Sequence, residues 1–263
     1  MNAFAQLHDG PLPLVLPNAW DVPSALAFVE AGHPAVATTS LGVASSLGRP
    51  DGDRATRDAN LALARALVGL PVPLSIDSED GYADDPAEVA AYVAELAELG
   101  VSGINLEDST DGLLVEPAAF VAKVTAVKDL SPDVFVNARV DTYWFHQDET
   151  LEGTLDRASA YVEAGADGVF FPGLSDPDTV RALTRALPVP VNLLPVAGAS
   201  LADLAALGVR RVSTGSLPYR VALAAAVSTA AAVRDGSPLP ESLGYPELQR
   251  RLMAHADEMG RSR

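Results

Sequence analysis

The chain of 263 residues contains no cysteine. Disulfide bonds, thiolate metal sites and a cysteine nucleophile are therefore excluded. The chain is also poor in basic residues, with 18 lysines and arginines against 35 aspartates and glutamates, which gives a formal net charge of -17. Because such a charge repels phosphate groups, nucleic acids and anionic membrane surfaces are not expected partners.

Long hydrophobic runs are missing as well. The longest apolar stretch, 221–233, is rich in alanine and too short to cross a bilayer. The first ten residues lack the basic and apolar segments of a secretory signal. Together with the lack of cysteine, these features predict a cytoplasmic protein. Hydrophobic residues nevertheless make up 48% of the chain, enough for the core of one large α/β domain.

A repeated pattern of glycine and proline indicates the fold. Four helix-like stretches end in a glycine, which suits the left-handed turn that closes a helix, and an apolar segment follows each of them. Four other apolar segments are introduced by proline, which stops a helix and is tolerated at the first position of a strand. The pattern predicts eight strands, near residues 13–16, 35–39, 72–76, 102–106, 134–139, 168–171, 190–194 and 210–214.

Eight strands that alternate with helices, such as 87–99 and 150–164, are typical of a (β/α)8 barrel of the TIM type. The alternative is a doubly wound open sheet. No linker rich in Gly, Ser or Pro divides the chain, so we expect one domain over residues 1–263. A tail from about residue 236 carries a further helix, 245–259, which we expect to cap the barrel or to pack on a neighbouring subunit.

Carboxylates follow several of the predicted strands. Asp77 and Glu79 come after the third strand, Glu107 comes after the fourth, and Asp51 lies in the loop after the second. The carboxyl ends of barrel strands form one mouth, where clustered carboxylates repel each other unless a cation lies among them. Hard oxygen ligands suit Mg²⁺ or Mn²⁺. The alternative role for each acid is a helix N-cap, although the next helix begins several residues after Asp77.

Other polar residues stand at the same strand ends. Arg139 ends the fifth strand, and a buried arginine there must face a carboxylate or an anionic ligand. Its alternative role is a structural bridge to Glu107 or Asp141. Asn192, at the end of the seventh strand, is a candidate for substrate binding, and Tyr82 is a candidate proton donor or hydrogen-bond partner.

These motifs resemble those of the isocitrate lyase/phosphoenolpyruvate mutase superfamily over nearly the whole chain. The matching segments are PNAWD at 17–21, TTSLGVA at 38–44, DSEDGY at 77–82, GINLED at 103–108, NARVD at 137–141, GADG at 165–168 and STGS at 213–216. The resemblance implies a Mg²⁺-dependent barrel enzyme for small 2-oxo acids. It also implies a homodimer or homotetramer formed by exchange of a C-terminal helix.

The resemblance further implies roles for individual residues. Asp77 resembles the direct metal ligand, while Asp51, Glu79 and Glu107 resemble acids that hold the metal through water. The backbone of Thr39, Ser40 and Leu41 resembles the cradle for the substrate carboxylate. Arg139 resembles the arginine that binds the oxo-acid end.

Two loops depart from the resemblance. Lyases carry a Lys-Lys-Cys-Gly-His loop after the fourth strand, and mutases carry Lys and Asn there, whereas 109–115 reads STDGLLV. After the sixth strand, 170–173 reads FFPG, without the histidine of mutases or the glutamate of methylisocitrate lyases. We therefore expect cleavage of a carbon–carbon bond through an enolate, as in decarboxylation of an oxaloacetate-like acid. The alternatives are carbon–phosphorus chemistry on a phosphonopyruvate-like substrate and an idle barrel that only binds a 2-oxo acid.

Overall fold

The computed structural model describes residues 3–261. Parallel strands alternate with helices along the chain, as the glycine and proline pattern predicts. The strands are β1 (Leu14–Leu16), β2 (Asn18–Ala19), β3 (Val36–Thr38), β4 (Leu74–Asp77), β5 (Gly103–Glu107), β6 (Ser109–Thr110), β7 (Leu113–Leu114), β8 (Phe135–Arg139), β9 (Gly168–Phe170), β10 (Val191–Leu193) and β11 (Arg211–Ser213).

Most helices begin at a proline or at a polar capping residue, the two signals that favour a helix start. A 3-10 turn, Leu7–Asp9, follows the first helix. The α-helices are α1 (Ala3–Gln6), α2 (Val22–Glu30), α3 (Ser40–Ser46), α4 (Arg57–Leu67), α5 (Pro86–Glu98), α6 (Pro117–Leu130), α7 (Leu151–Glu163), α8 (Pro177–Ala186), α9 (Leu201–Ala206), α10 (Leu217–Asp235) and α11 (Tyr245–Arg261).

Nine parallel strands form the barrel, in the order β1-β11-β10-β9-β8-β5-β4-β3-β2. The two ends of this sheet, β1 and β2, follow each other in the chain on either side of Pro17, so the sheet closes. The TIM-type barrel is confirmed, the predicted first strand is β1, and a further short strand, β2, follows it after Pro17. Pro17 has no N–H for the ladder, but its carbonyl accepts from Ala37 N at 2.8 Å and so keeps the strand in place.

Strand register fixes which side chains meet inside the barrel. Asp77 on β4 is opposite Asn105 on β5, and Glu107 on β5 is opposite Arg139 on β8. Because side chains alternate between the two faces of a strand, these four residues point to the same, inner side. The acids predicted at the strand ends therefore meet at one mouth.

The opposite end of the barrel is closed by the N-terminal segment. Phe4 is fully buried and packs with Leu14, Leu16 and Phe135. A Cβ atom at Gly103 would come within 2.9 Å of the Phe4 ring, so this plug requires glycine at that position. The N-terminal segment therefore covers the end of the barrel opposite the carboxyl ends of the strands.

The tail forms the additional helix that the sequence predicts. Helix α10 ends at Gly236, whose φ of 67° is the left-handed conformation of a helix cap, and Tyr219 is its only buried residue. Helix α11 lies against its own barrel, where His255 Nε2 is 2.8 Å from Ala66 O and Arg251 pairs with Glu30. None of the helices in residues 3–261 is long and apolar enough to cross a membrane. Exchange of the tail between subunits stays a prediction.

Candidate active site

A cavity of about 220 Å³ opens at the carboxyl ends of the barrel strands. Its lining combines acids, amides and hydroxyls on one side with apolar side chains on the other. The lining residues are Asn18, Thr39, Ser40, Leu41, Asp51, Asp77, Asn105, Arg139, Trp144, Phe170, Pro172, Leu194, Pro195, Ser213, Thr214, Gly215, Ser216, Leu217 and Arg220. A second cavity, which includes Glu107 and Ser109, adjoins the first and shares Asp51, Arg139 and Trp144 with it. Six of the predicted site residues therefore line the first cavity and a seventh, Glu107, lines its neighbour.

Asp77 is held from three sides. Its backbone N donates to Thr38 Oγ1 at 2.9 Å, and its backbone O accepts from Asn60 Nδ2 at 2.9 Å. One carboxylate oxygen accepts from Ser40 N at 3.0 Å. This last contact changes the predicted carboxylate cradle, because the Ser40 N–H is already engaged with Asp77. Among the three predicted cradle residues, Leu41 has a backbone N–H that can bind a substrate carboxylate while the Ser40 N–H stays bonded to Asp77.

The carboxylates at the mouth repel one another. Desolvation and the neighbouring Asp77 raise the pKa of Asp51, although part of its side chain stays exposed. Burial raises the pKa of Glu107, Arg139 opposes the rise, and Asp141, Asp77 and Asp51 add to it. A cation placed among these groups would relieve the repulsion.

Arg139 bridges two acids at this mouth. Its Nη1 is 2.6 Å from Glu107 Oε2, and its Nε is 2.6 Å from Asp141 Oδ1. The guanidinium also lies over the Trp144 ring, 5.7 Å from its centroid. Asp141, Glu107 and Asp77 raise the pKa of Arg139 against the effect of burial, so it stays charged. The predicted bridge and the predicted place in the cavity are both present.

Glu79 lies behind the cavity wall. Its buried carboxylate accepts from the Thr56 hydroxyl and from Arg54 N at 3.3 Å. Burial raises its pKa to about 7, and Asp77 and Asp51 add to the effect. Glu79 therefore supports the loop that carries Asp51, and its role in holding a metal through water stays a prediction.

Tyr82 is not among the residues that line the two cavities, and its role as a proton donor or hydrogen-bond partner stays a prediction. Its phenol accepts from Asn60 Nδ2 at 3.0 Å, and its ring packs edge-on against Tyr92 at 5.1 Å. Burial raises the pKa of Tyr82 well above its usual value. Asn60 Nδ2 also donates to the backbone O of Asp77. Tyr82 therefore contacts the residue that positions Asp77.

Asn192 also lies one layer below the cavity lining, and its role in substrate binding stays a prediction. Its Nδ2 donates to Ser213 Oγ at 3.0 Å, and its Oδ1 accepts from Ser213 N at 3.2 Å. Ser213 is the residue of this pair that lines the cavity. The strand position predicted the correct end of the barrel but not the correct depth.

The loop after β5, which lacks the lyase residues, forms a short hairpin of β6 and β7. Ser109 Oγ donates to Asp141 Oδ2 at 2.5 Å, and Leu114 N donates to Gln147 Oε1 at 3.1 Å. Both strands are thus fastened to the segment after β8. The hairpin thus places Ser109 among the residues that line the second cavity, with its hydroxyl bonded to Asp141.

A charged cluster that the sequence did not reveal holds the Asp51 loop. Arg54 Nε donates to Asp80 Oδ2 at 2.8 Å, and its Nη2 pairs with Asp84 at 2.6 Å. The buried Lys123 donates to Asp80 O at 2.8 Å from the opposite side. Arg54 lies three residues after Asp51 in the same loop. Its bonds to Asp80 and Asp84 therefore fasten the Asp51 loop to the loop after β4.

The donor set fits a magnesium ion bound mainly through water. Within residues 3–261, no three histidine, aspartate or glutamate side chains converge closely enough to ligate one ion directly. Mg²⁺ keeps several waters and is often bound by only one or two carboxylates. A single carboxylate such as Asp77, with Asp51 and Glu107 at the same mouth, would be compatible with that preference.

Comparisons with known proteins agree with this architecture. The sequence pattern described as phosphoenolpyruvate phosphomutase matches residues 4–234. An uncharacterized protein of Mycobacterium tuberculosis (strain ATCC 25618 / H37Rv) is 55% identical over 251 residues, which cover 95% of this chain and 96% of that protein. The 2-methylisocitrate lyase of Salmonella typhimurium (strain LT2) is 30% identical over 68% of this chain and 64% of its own length.

Two further relatives bear on chemistry. The oxaloacetate decarboxylase of Rhodopseudomonas palustris (strain HaA2) is 29% identical over 78% of this chain and 75% of its own length. A solved complex of phosphonopyruvate hydrolase with oxalate and Mg²⁺ superposes with a TM-score of 0.82 and is 26% identical, covering 97% of this chain and 96% of that one. The barrel, the motifs at its mouth and these matches together place the chain in the phosphoenolpyruvate phosphomutase family.

Proposed function

We propose that this protein is a Mg²⁺-dependent enzyme that cleaves a carbon–carbon bond in a small 2-oxo acid through an enolate. Decarboxylation of an oxaloacetate-like acid is the reaction that its residues suit best. The observation that carries the proposal is the arrangement of Arg139, Asp77 and Asp51 around one small cavity. A guanidinium and an acid cluster in the same mouth suit an anionic substrate bound beside a cation.

Asp77 would hold the metal directly, and Asp51 and Glu107 would hold its waters, with Glu79 supporting the loop behind them. When bound, Mg²⁺ supplies positive charge that polarises the oxo group and lowers the energy of the enolate. Mn²⁺ has the same preference for oxygen ligands and is expected to substitute for it.

The chain's own residues bind and orient the acid. The N–H of Leu41 offers a hydrogen bond to the substrate carboxylate. Arg139, which stays charged, provides a fixed donor for the oxygen on which negative charge develops. Preorganised donors of this kind usually make the largest contribution to catalysis.

The apolar side of the cavity shields this chemistry from water. Trp144, Phe170 and Leu194 line it opposite the acids. Loss of carbon dioxide leaves an enolate without protonation of a large leaving fragment. A hairpin without cysteine or lysine therefore suits decarboxylation better than release of a larger fragment.

Carbon–phosphorus cleavage of a phosphonopyruvate-like acid is the second candidate. It is favoured by the superposition with phosphonopyruvate hydrolase over 97% of this chain. Such a reaction passes through the same pyruvate enolate, so the metal and Arg139 would serve it equally. A barrel that binds 2-oxo acids without turnover is the alternative to both.

A panel of four acids separates these functions. Pyruvate and glyoxylate are measured by coupled assays on oxaloacetate, phosphonopyruvate, isocitrate and methylisocitrate, with Mg²⁺ and with a chelator. We expect slow Mg²⁺-dependent release of pyruvate from oxaloacetate and no glyoxylate from isocitrate, because loss of a general acid costs about 10²–10⁴ in rate. Rapid release of glyoxylate from isocitrate would contradict the interpretation of the hairpin. If none of the four acids gives a product but oxalate binds tightly, the barrel binds 2-oxo acids without turnover.

A further inference from the structure

Arg211 is a fully buried guanidinium in the interior of the barrel. Its side chain lies on the inner face of β11, above the Phe4 plug, with the Phe4 ring centroid 5.9 Å from its Cζ. Among the described residues it forms no salt bridge, and its Nη1 has no hydrogen-bond partner. A buried charge without a counterion costs free energy. Packing of the barrel therefore does not explain why an arginine occupies this position.

The contacts of Arg211 determine how Asn105 is oriented. Arg211 Nη2 lies 3.2 Å from the Asn105 amide, and Asn137 Nδ2 lies 2.8 Å from the same atom. A guanidinium has donors and no acceptor, so the Asn105 atom that faces it must be the carbonyl oxygen. Asn105 lines the cavity. Its NH2 group is therefore the end of the amide that is left for a ligand.

The same argument applies to Ser213. Its Oγ receives Arg211 Nε at 2.9 Å and Asn192 Nδ2 at 3.0 Å. The orientation of Asn192 is fixed independently, because its Oδ1 accepts from the backbone N of Ser213. Both acceptor positions of the Ser213 hydroxyl are thus occupied, and its hydrogen is left to donate. Ser213 also lines the cavity.

We propose that Arg211 is a positioning residue that makes the floor of the cavity a pair of hydrogen-bond donors, the Asn105 amide and the Ser213 hydroxyl, for an anionic oxygen of the bound acid. The inference rests on the proposed function and adds to it the residues beneath the substrate. Such a floor favours a carboxylate or enolate oxygen over a group that donates hydrogen bonds.

The charge of Arg211 acts in the same direction. Arg139 is paired with two carboxylates, so much of its field is cancelled at the mouth. Arg211 has no such partner, and its field reaches the cavity from below. Burial lowers the pKa of Arg211 to about 9 and Asp77 opposes that shift, so the guanidinium is protonated at neutral pH. In a chain with a net charge of -17, an unpaired cation under the cavity offsets the repulsion of an anionic ligand.

The test uses Arg211→Met and two calorimetric titrations, first Mg²⁺ alone and then oxalate in saturating Mg²⁺. Oxalate binding should weaken by about tenfold or more, because a buried hydrogen-bond network loses its donor. Mg²⁺ binding should stay equal or become tighter, because a positive charge beneath Asp77 has been removed. A general defect in folding would instead weaken the binding of both ligands.

Ser213→Ala provides a second and milder variant, since it removes one floor donor and keeps the charge. It should weaken oxalate binding several-fold and leave Mg²⁺ binding unchanged. The matched control is Arg210→Met, which removes an exposed guanidinium whose single side-chain hydrogen bond within residues 3–261 goes to Gly10 O at 3.3 Å. That control should bind both ligands as the parent does.

Three results would overturn the inference. Oxalate binding by Arg211→Met at the parent's affinity would show that the floor does not depend on the guanidinium. Loss of both ligands in Arg211→Met, together with unchanged oxalate binding in Ser213→Ala, would reduce Arg211 to a structural role. A parent protein that binds no oxalate in the presence of Mg²⁺ would refute the proposed function itself and this inference with it.

Discussion

Replacement of Arg139 by lysine separates the two roles that this residue has in the structure. Arginine reaches Glu107 through Nη1 and Asp141 through Nε, each at 2.6 Å. A lysine keeps the positive charge but has one ammonium group, which cannot occupy both positions. Arg139→Lys therefore loses one charge-assisted hydrogen bond and the planar donor offered to substrate.

The expected cost follows from these contacts. A charge-assisted hydrogen bond contributes about 1–3 kcal/mol, so the dissociation constant of oxalate should rise roughly 5- to 150-fold. The free energy of unfolding should fall by a similar amount, about 1–3 kcal/mol, because Asp141 is completely buried and loses a partner. Calorimetric titration in saturating Mg²⁺ and urea denaturation measure the two quantities.

Arg157→Lys is the matched control. Arg157 also pairs with a buried acid, Asp108, at 3.2 Å, and it lies outside both cavities. It should lose stability and retain oxalate affinity. If Arg139→Lys behaves in the same way as Arg157→Lys, Arg139 is only a structural bridge, and the assignment of the substrate site is wrong.

Three further predictions follow from other parts of the molecule. Asp77→Ala should abolish calorimetric Mg²⁺ binding, whereas removal of the exposed Asp58 should not; parental affinity in the first variant would end the assignment of Asp77 as the direct ligand. Burial lowers the pKa of His8 from 6.5 to about 4, so His8 binds more protons in the unfolded chain between these values, and its own contribution to stability should be complete above pH 6.5 and fall by about 3 kcal/mol as the pH drops towards 4, while the raised pKa of Glu79 acts in the opposite direction. His8→Phe should reduce the loss of the urea midpoint between pH 6.5 and 4, whereas His146→Gln, at an exposed histidine, should leave this loss unchanged. If the pH dependence of the midpoint in His8→Phe equals that of the parent, another group causes the loss. We also propose that the tail joins subunits, because its apolar side chains Leu239, Leu243, Tyr245 and Met253 are exposed: deletion after Asp235 should lower the mass measured by light scattering, and an unchanged mass and stability would exclude the tail as the link.

The sequence by itself determined the barrel and the end at which its site lies. Glycines after helices and prolines before strands mark the alternation of elements, because each restricts the backbone locally. Placement of Asp77, Glu107 and Arg139 at strand ends follows from the same alternation, since all parallel strands end at one mouth. The short strand β2 was not predicted, because proline usually interrupts a strand, whereas here the carbonyl of Pro17 still accepts from Ala37 N on the next strand.

Only the tertiary structure decided the depth and the partners of each side chain. Tyr82 and Asn192 were predicted at the mouth and lie behind or below it, since distances between residues on different strands depend on the tilt and stagger of the barrel. Arg211 gave no signal in the sequence, where it is one of two adjacent arginines at the start of a strand. Its importance appears only when β11 turns it inward beneath Asn105 and Ser213, while its neighbour Arg210 points to solvent. A strand alternates its two faces along the chain, but which face encloses the site is fixed by closure of the whole barrel.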